Sequence, residues 1–331
     1  MGVDTPINEV YSAEVREKLS SLFEFPTDHI ILSSELDEYR EILKETDYIF
    51  STWGMPSLSE DQIKEYLPSL KAVFYAAGTV QKFARPFLAC GVKIFSAWAA
   101  NAVPVSEYTF AAIMMASKGF FHRIHRQSTG SAWPHRDVPV AFPGNYDINV
   151  GIIGAGMIGK LVIGKLKNAL DRINVLVFDP FLPDEKAAEL GVTKVSLETL
   201  FAESDVISNH LADNAQTKGM LDGHLFSTMK TGATFVNTGR GAQVVEADLI
   251  AALKDPEKHL AAVLDVTDPE PPLEDSPFYT LENVFLTPHI AGSLGNEHHR
   301  MSEFMYEEAK ALDAGEPTRY EVTLKMLETM A

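Results

Sequence analysis

Arg240, Glu270 and His289 bring together a permanent cation, a carboxylate and a titratable ring, each placed shortly after an apolar run. Arg240 lies in Asn237-Thr238-Gly239-Arg240-Gly241, where glycines leave the guanidinium free to point into a cleft. Its planar fork matches a carboxylate bidentately, although a surface ion pair is the commoner fate of an arginine. His289 follows Pro288 and precedes Ile290-Ala291-Gly292. Taken alone, such a histidine is more often a satisfied structural residue than a catalyst. Glu270 sits among Pro269, Pro271 and Pro272, which stiffen its loop; plain solvation is its bland alternative. Beside a nicotinamide-type site the three read as an acid/base, its orienter and an anion clamp.

That nicotinamide-type site is legible further upstream. Gly154, Gly156 and Gly159 have the G-x-G-x-x-G spacing after the apolar run ending at Ile153, and Lys160 to Lys167 can continue as a helix. The first glycine permits a tight turn and the second a close approach of backbone to a pyrophosphate. The third permits helix–strand packing, which sets the phosphates on the positive end of a helix dipole. Glycines also punctuate ordinary loops, so spacing alone is weak. Here Asp179 supplies the expected acid after Val175-Leu176-Val177-Phe178, at a strand end facing the adenosine ribose. No cation follows Asp179 in Pro180-Phe181-Leu182, which predicts NAD(H) over NADP(H).

Positioning these groups takes an α/β framework. Strands are predicted at 47–52, 70–75 and 91–95, and again at 205–209, 233–237, 260–264 and 283–287, with helical stretches such as Glu246 to Lys254 between most of them. The second set forms a doubly wound sheet, which binds ligands beyond the carboxyl ends of its strands; Arg240, Asp265 and His289 each follow such an end. A long helix is predicted from Asn101 with Val105, Tyr108, Ala112 and Met115 on one apolar stripe, then an extended arm over 127–148 containing Trp133. Trp53-Gly54-Met55, after an early strand, reads as pocket lining or as ordinary core; as lining it would favour an apolar substituent on the substrate. His122 and His125 share a helix face but lack further ligands, so no metal site is expected. His298 and His299 are adjacent and read as solvated or dimer-facing.

The chain has 331 residues, 46 % hydrophobic, and a formal net charge of −18, enough for about two domains with sizeable cores. No basic run exists to displace counterions from nucleic acid, which excludes that partner. The same field mildly repels a small anionic substrate, so local groups must capture it, screening acting beyond ~8 Å. Cys90 is the single cysteine, which excludes an internal disulfide framework and suits a reducing compartment. No signal-peptide pattern or membrane-length apolar run is read, and the expectation is a soluble, cytoplasmic protein without a membrane partner.

Gly154-x-Gly156-x-x-Gly159, Met229-Lys230-x-Gly232-Ala233, Asn237-Thr238-Gly239-Arg240-Gly241, Asp265-Val266 with Glu270-Pro271, and Pro288-His289-Ile290-Ala291-Gly292 resemble the NAD-dependent D-2-hydroxyacid dehydrogenases in kind and order over most of 70–310. The resemblance implies a Rossmann nucleotide domain, 101–292, inserted into a second, flavodoxin-like α/β domain built from 1–100 and 293–331. It implies hydride transfer between NAD(H) and a small D-2-hydroxy acid or 2-oxo acid, with His289 as acid/base and Glu270 as its partner. Arg240 would bind the substrate carboxylate and carbonyl oxygen and Asp265 the nicotinamide carboxamide, with Met157, Ile158 and Thr238 adding further cofactor contacts. Trp53, Ala77, Gly78 and Asn101 would contact the substrate, Ala77 and Gly78 through backbone N–H groups. A homodimer through the 119–148 arm is implied as well. Relatives of this fold include NAD-sensing corepressors and phosphite-oxidising enzymes, and these motifs alone do not separate them from a hydroxyacid dehydrogenase.

Overall fold

The computed structural model describes residues 4–124 and 140–328. Trp133, His125 and the middle of the expected arm therefore lie outside the described residues. The chain divides into two compact units, Met1–Asn101 with Ser293–Ala331, and Ala102–Gly292. Asn101 thus closes the first unit instead of opening the second.

In the first unit, β1 (Tyr48–Ser51), β2 (Ala72–Tyr75) and β3 (Lys93–Ser96) run parallel in that order. The strand Glu321–Val322 pairs antiparallel with β3. Two residues carry no readable periodicity, so this strand is absent from the sequence reading. Successive residues of β2 enter different cores, as strand alternation requires. Val73 and Tyr75 pack with Ile63 and Phe87, whereas Ala72 and Phe74 pack with Tyr11, Met301 and Met305. Both faces are covered, which explains the continuous apolar run.

In the second unit, β4 (Asn149–Ile153), β5 (Asn174–Phe178), β6 (Thr193–Lys194), β7 (Val206–Asn209), β8 (Thr234–Asn237), β9 (Ala261–Leu264) and β10 (Val284–Leu286) form one sheet in the order β10-β9-β8-β7-β4-β5-β6. All of its pairings are parallel. The chain leaves β4 in one direction and returns at β7 on its other side, so the switch point of this doubly wound sheet lies between them. β6 is a short, exposed edge strand that the sequence reading passes over. Val236 and Val263 enter one core, and Phe235 and Leu264 the other.

The helix Trp98–Ser117 begins three residues before the expected start and carries Pro104 inside it. Of its expected stripe, Val105 and Ala112 are buried, but Met115 is 39 % exposed. It lies beside an apolar groove of about 490 Å³ lined by Tyr108, Phe121, Phe285 and Leu286, among others. Among the described residues, no helix is long and apolar enough to cross a membrane.

Candidate active site

The turn after β4 shows why glycine is needed at two of its positions. Gly154 has φ +90°, and a Cβ there would approach the His210 carbonyl oxygen to 2.8 Å. At Gly159 a Cβ would collide with the Gly154 carbonyl oxygen. Helix Met157–Ala169 can therefore sit tightly on the turn only because both side chains are missing. Gly156 differs, since a Cβ there would meet nothing within 4 Å. Its openness is not a packing demand of the protein and leaves room for a ligand. The first-turn amides of Met157, Ile158 and Gly159 fall outside intrahelical pairing and, with the helix dipole, suit an anion. Asp179 anchors the turn through its carboxylate, which accepts from Ala155 N at 2.7 Å and Phe181 N at 2.8 Å. A bare glycine position, free amides and a fixed acid together suit a dinucleotide.

Four more strand ends carry the remaining polar groups. After β8, Arg240 donates one Nη1 hydrogen to the Gly239 carbonyl at 2.7 Å, and no ion pair engages its fork among the described residues. Gln243, fully buried, fixes the loop. Its Oε1 accepts from Arg240 N and Asn209 Nδ2, and its Nε2 donates to the Leu211 and Ala212 carbonyls after β7. Asn237 Oδ1 accepts from Asn209 Nδ2 and Gly239 N. Thr238 is 7 % exposed and its hydroxyl is committed to Thr109 at 3.0 Å, so any cofactor contact by Thr238 falls to its backbone.

After β9 and β10 the loops meet. His289 Nδ1 lies 2.7 Å from Glu270 Oε1. A carboxylate accepts, so Nδ1 holds the hydrogen and Nε2 is left for proton exchange. The two side chains are 47 % and 43 % exposed, and an ion pair so wet stabilises little; its use is orientation. The Glu270 loop is held in turn by Asp268 N donating to Glu246 Oε1 at 2.9 Å. Burial holds the Glu246 carboxyl above its ordinary range, against that amide bond. His289 has φ +54°, a left-handed conformation costing a non-glycine residue about 1 kcal/mol or more. Asp265, 2 % exposed, imposes it. The Asp265 carbonyl accepts from His289 N, Oδ1 accepts from Ile290 N, and Oδ2 accepts from Ala291 N.

In the first unit, the Ser96 hydroxyl shares its hydrogen between the carbonyls of Ala77 and Gly78 and sets that loop. The Ala77 amide is already spent on the Tyr75 carbonyl at 2.9 Å. Of the two N–H groups expected to be offered, that of Ala77 is engaged within its own loop. Asn101 neighbours Gly78, and its Oδ1 accepts from Ser293 N at 2.8 Å. Trp53 is 39 % exposed, with its ring edge-on to His298 at 5.4 Å. Met55, by contrast, is a core residue, which removes the thioether from the expected pocket lining. His298 is not simply solvated, because Nε2 donates to the Ser293 carbonyl at 2.9 Å. His122 is likewise structural, donating to the His259 carbonyl at 2.8 Å. No three His, Cys, Asp or Glu side chains converge as metal ligands among the described residues.

Residues 110–291 match the model of the D-isomer specific 2-hydroxyacid dehydrogenase NAD-binding domain. The chain belongs to that family. Relatives include a D-3-phosphoglycerate dehydrogenase of Archaeoglobus fulgidus, 34 % identical over 72 % of this chain and 44 % of its own length. An (S)-sulfolactate dehydrogenase of Chromohalobacter salexigens is 33 % identical over 64 % of this chain and 67 % of its own. The chain thus spans less than half of the archaeal relative. A phosphoglycerate oxidoreductase from Rhizobium etli has a similar fold, with a TM-score of 0.78 at 24 % identity, covering 97 % of this chain and 96 % of that one. Family membership makes the turn at Gly154–Gly159 part of an NAD-binding domain.

Proposed function

We propose that the protein is an NAD-dependent dehydrogenase of small D-2-hydroxy acids, working with the corresponding 2-oxo acids in reverse. The observation that carries this reading is the His289–Glu270 pair, 2.7 Å apart and half exposed at the strand ends of an NAD-binding domain. The nicotinamide, when bound, supplies or takes up the hydride. Every other task falls to the chain. Arg240 holds the substrate carboxylate with its unused donors and meets charge on the carbonyl oxygen as it develops. His289 Nε2 gives that oxygen its proton in reduction and removes it in oxidation. Glu270 holds the ring in the tautomer that permits this. Asp265 Oδ2, with one backbone donor, has capacity left for a carboxamide N–H. Trp53, Gly78 and Asn101 are assigned to substrate and Asp179 to the ribose hydroxyls.

The same reading carries a cytoplasmic homodimer, supported by the free Cys90 and by exposed Met115, Phe120 and Ile124 beside the start of the arm. The test is a panel of 2-oxo acids with NADH, followed by absorbance. Turnover of one or more members is expected. Tight NADH binding with no turnover across the panel would overturn the reading in favour of an NAD-sensing protein.

A further inference from the structure

Asp265 is tied to the His289 loop on one side and to the long helix on the other. Thr287 Oγ1 donates to Asp265 Oδ1 at 2.7 Å, and Tyr108 OH lies 2.8 Å from the same Thr287 oxygen. A threonine hydroxyl has one hydrogen. Since that hydrogen goes to the carboxylate, the tyrosine must donate to the threonine. The order is therefore Tyr108 OH to Thr287 Oγ1 to Asp265 Oδ1, with Ile290 N filling the second place on that oxygen. Burial holds the Tyr108 phenol above its ordinary range, the Thr287 bond working against it and the Asp265 charge adding to it. The phenol stays a donor throughout the working pH range.

We infer that Tyr108 and Thr287 are positioning residues that hold His289 in its left-handed conformation by locking the Asp265 carboxylate. The inference rests on the dehydrogenase reading above. Asp265 divides its work between two oxygens: Oδ1 is saturated from within the protein, whereas Oδ2 has one donor, from Ala291 N. The Thr287 hydroxyl on Oδ1 and the Tyr108 hydroxyl behind it fix the plane of the carboxylate, and with it the amides of Ile290 and Ala291 that wrap His289. Without them the carboxylate can rotate, and the Nε2 proton leaves its line to the substrate oxygen. Small displacements of a catalytic group are costly to rate while leaving the fold intact. Neither residue touches the reacting atoms. Burial alone does not explain the arrangement, because Tyr108 lines the apolar groove and a phenylalanine would fill that position at no polar cost.

The experiment uses the full chain with Thr287→Val, Tyr108→Phe, the double variant and Thr287→Ser. Turnover is measured at saturating NADH and 2-oxo acid, together with the ring signals of ¹⁵N-labelled histidine, His289 being assigned through His289→Gln. The expected result is a fall in kcat of about tenfold for Thr287→Val and a smaller fall for Tyr108→Phe. The double variant should be no worse than Thr287→Val, because one chain of bonds is cut twice, and Thr287→Ser should restore kcat to within about threefold. The His289 ring signals should shift in the two cut variants and return in Thr287→Ser. Unchanged kcat with unmoved signals overturns the inference, as do losses in Thr287→Val that Thr287→Ser fails to repair. If the wild-type chain turns over no 2-oxo acid, the dehydrogenase reading fails, whereas the signals still decide whether Tyr108 and Thr287 hold His289.

Discussion

At the residue scale the proposed site divides into groups assigned to the substrate and groups assigned to aim them. Arg240 has one nitrogen returned to its own loop and the rest of its fork unpaired among the described residues. Arg240→Ala should therefore cost on the order of 2–4 kcal/mol in kcat/KM for the 2-oxo acid. NADH affinity, followed by fluorescence, should change little; near-normal turnover would remove Arg240 from the site. In the proposed mechanism Glu270 acts through His289. Glu270→Gln can still accept the Nδ1 hydrogen, so the tautomer survives, but the charge that balances a protonated ring is gone. Reduction, which begins with that protonated ring, should lose about tenfold or more in kcat/KM, and oxidation of the hydroxy acid clearly less. Equal losses in both directions would show that the Glu270 charge is not used. All three of these residues are legible in the sequence, because strand-end loops expose their side chains and few other roles suit them. Gln243 is not legible: a glutamine in a chain of ordinary letters reveals nothing until it is seen buried between two loops.

At the element scale, the glycine turn separates folding from binding. Gly159→Ala places a methyl against the Gly154 carbonyl, so it should lower the melting temperature as well as cofactor affinity. Gly156→Ala meets empty space at φ −70°, where alanine is at ease. It should leave the melting temperature within about 2 °C of wild type and weaken NADH at least about tenfold, by crowding the pyrophosphate. Equal behaviour of the two variants in both measurements would refute the assignment. Asp179, fixed between Ala155 N and Phe181 N, presents its charge at the rim of the same turn. NADH should accordingly exceed NADPH in kcat/KM by about tenfold or more, because a 2′-phosphate would meet this carboxylate. Periodicity and glycine spacing predicted most of these strands and the turn. The edge strands Thr193–Lys194 and Glu321–Val322 escaped because two residues carry no period, only a neighbour to pair with.

At the scale of the whole molecule, stability should depend on pH through a histidine that serves no catalytic step. His210 follows β7 with Nε2 on Ser208 Oγ at 2.9 Å and Nδ1 buried without a partner among the described residues. Burial pulls it from an ordinary 6.5 down to about 3. The folded chain thus keeps it neutral while the unfolded chain protonates it near 6.5. Its contribution to stability is fully present above that value and is lost as pH falls toward 3. By pH 5 the loss should reach about 2 kcal/mol. Urea unfolding of wild type and His210→Gln at pH 7.5 and 5 measures this, and the variant should lose correspondingly less on acidification. Parallel losses would assign the acid sensitivity to other groups.

The sequence by itself determined the family, the doubly wound sheet and the glycine turn of the NAD-binding domain, and it singled out Arg240, Glu270 and His289 as the candidate set. Each of these rests on interactions local in the chain: strand alternation, turn geometry and the chemistry of a side chain placed after a strand. Only the tertiary structure decided how those groups are held. Asp265 is joined to Tyr108 through Thr287, Gln243 to Asn209, and Trp53 to His298 by pairings between residues 22 to 245 positions apart. A hydrogen bond depends on distance and angle in space, and nothing in the local pattern of either partner records where the other will lie.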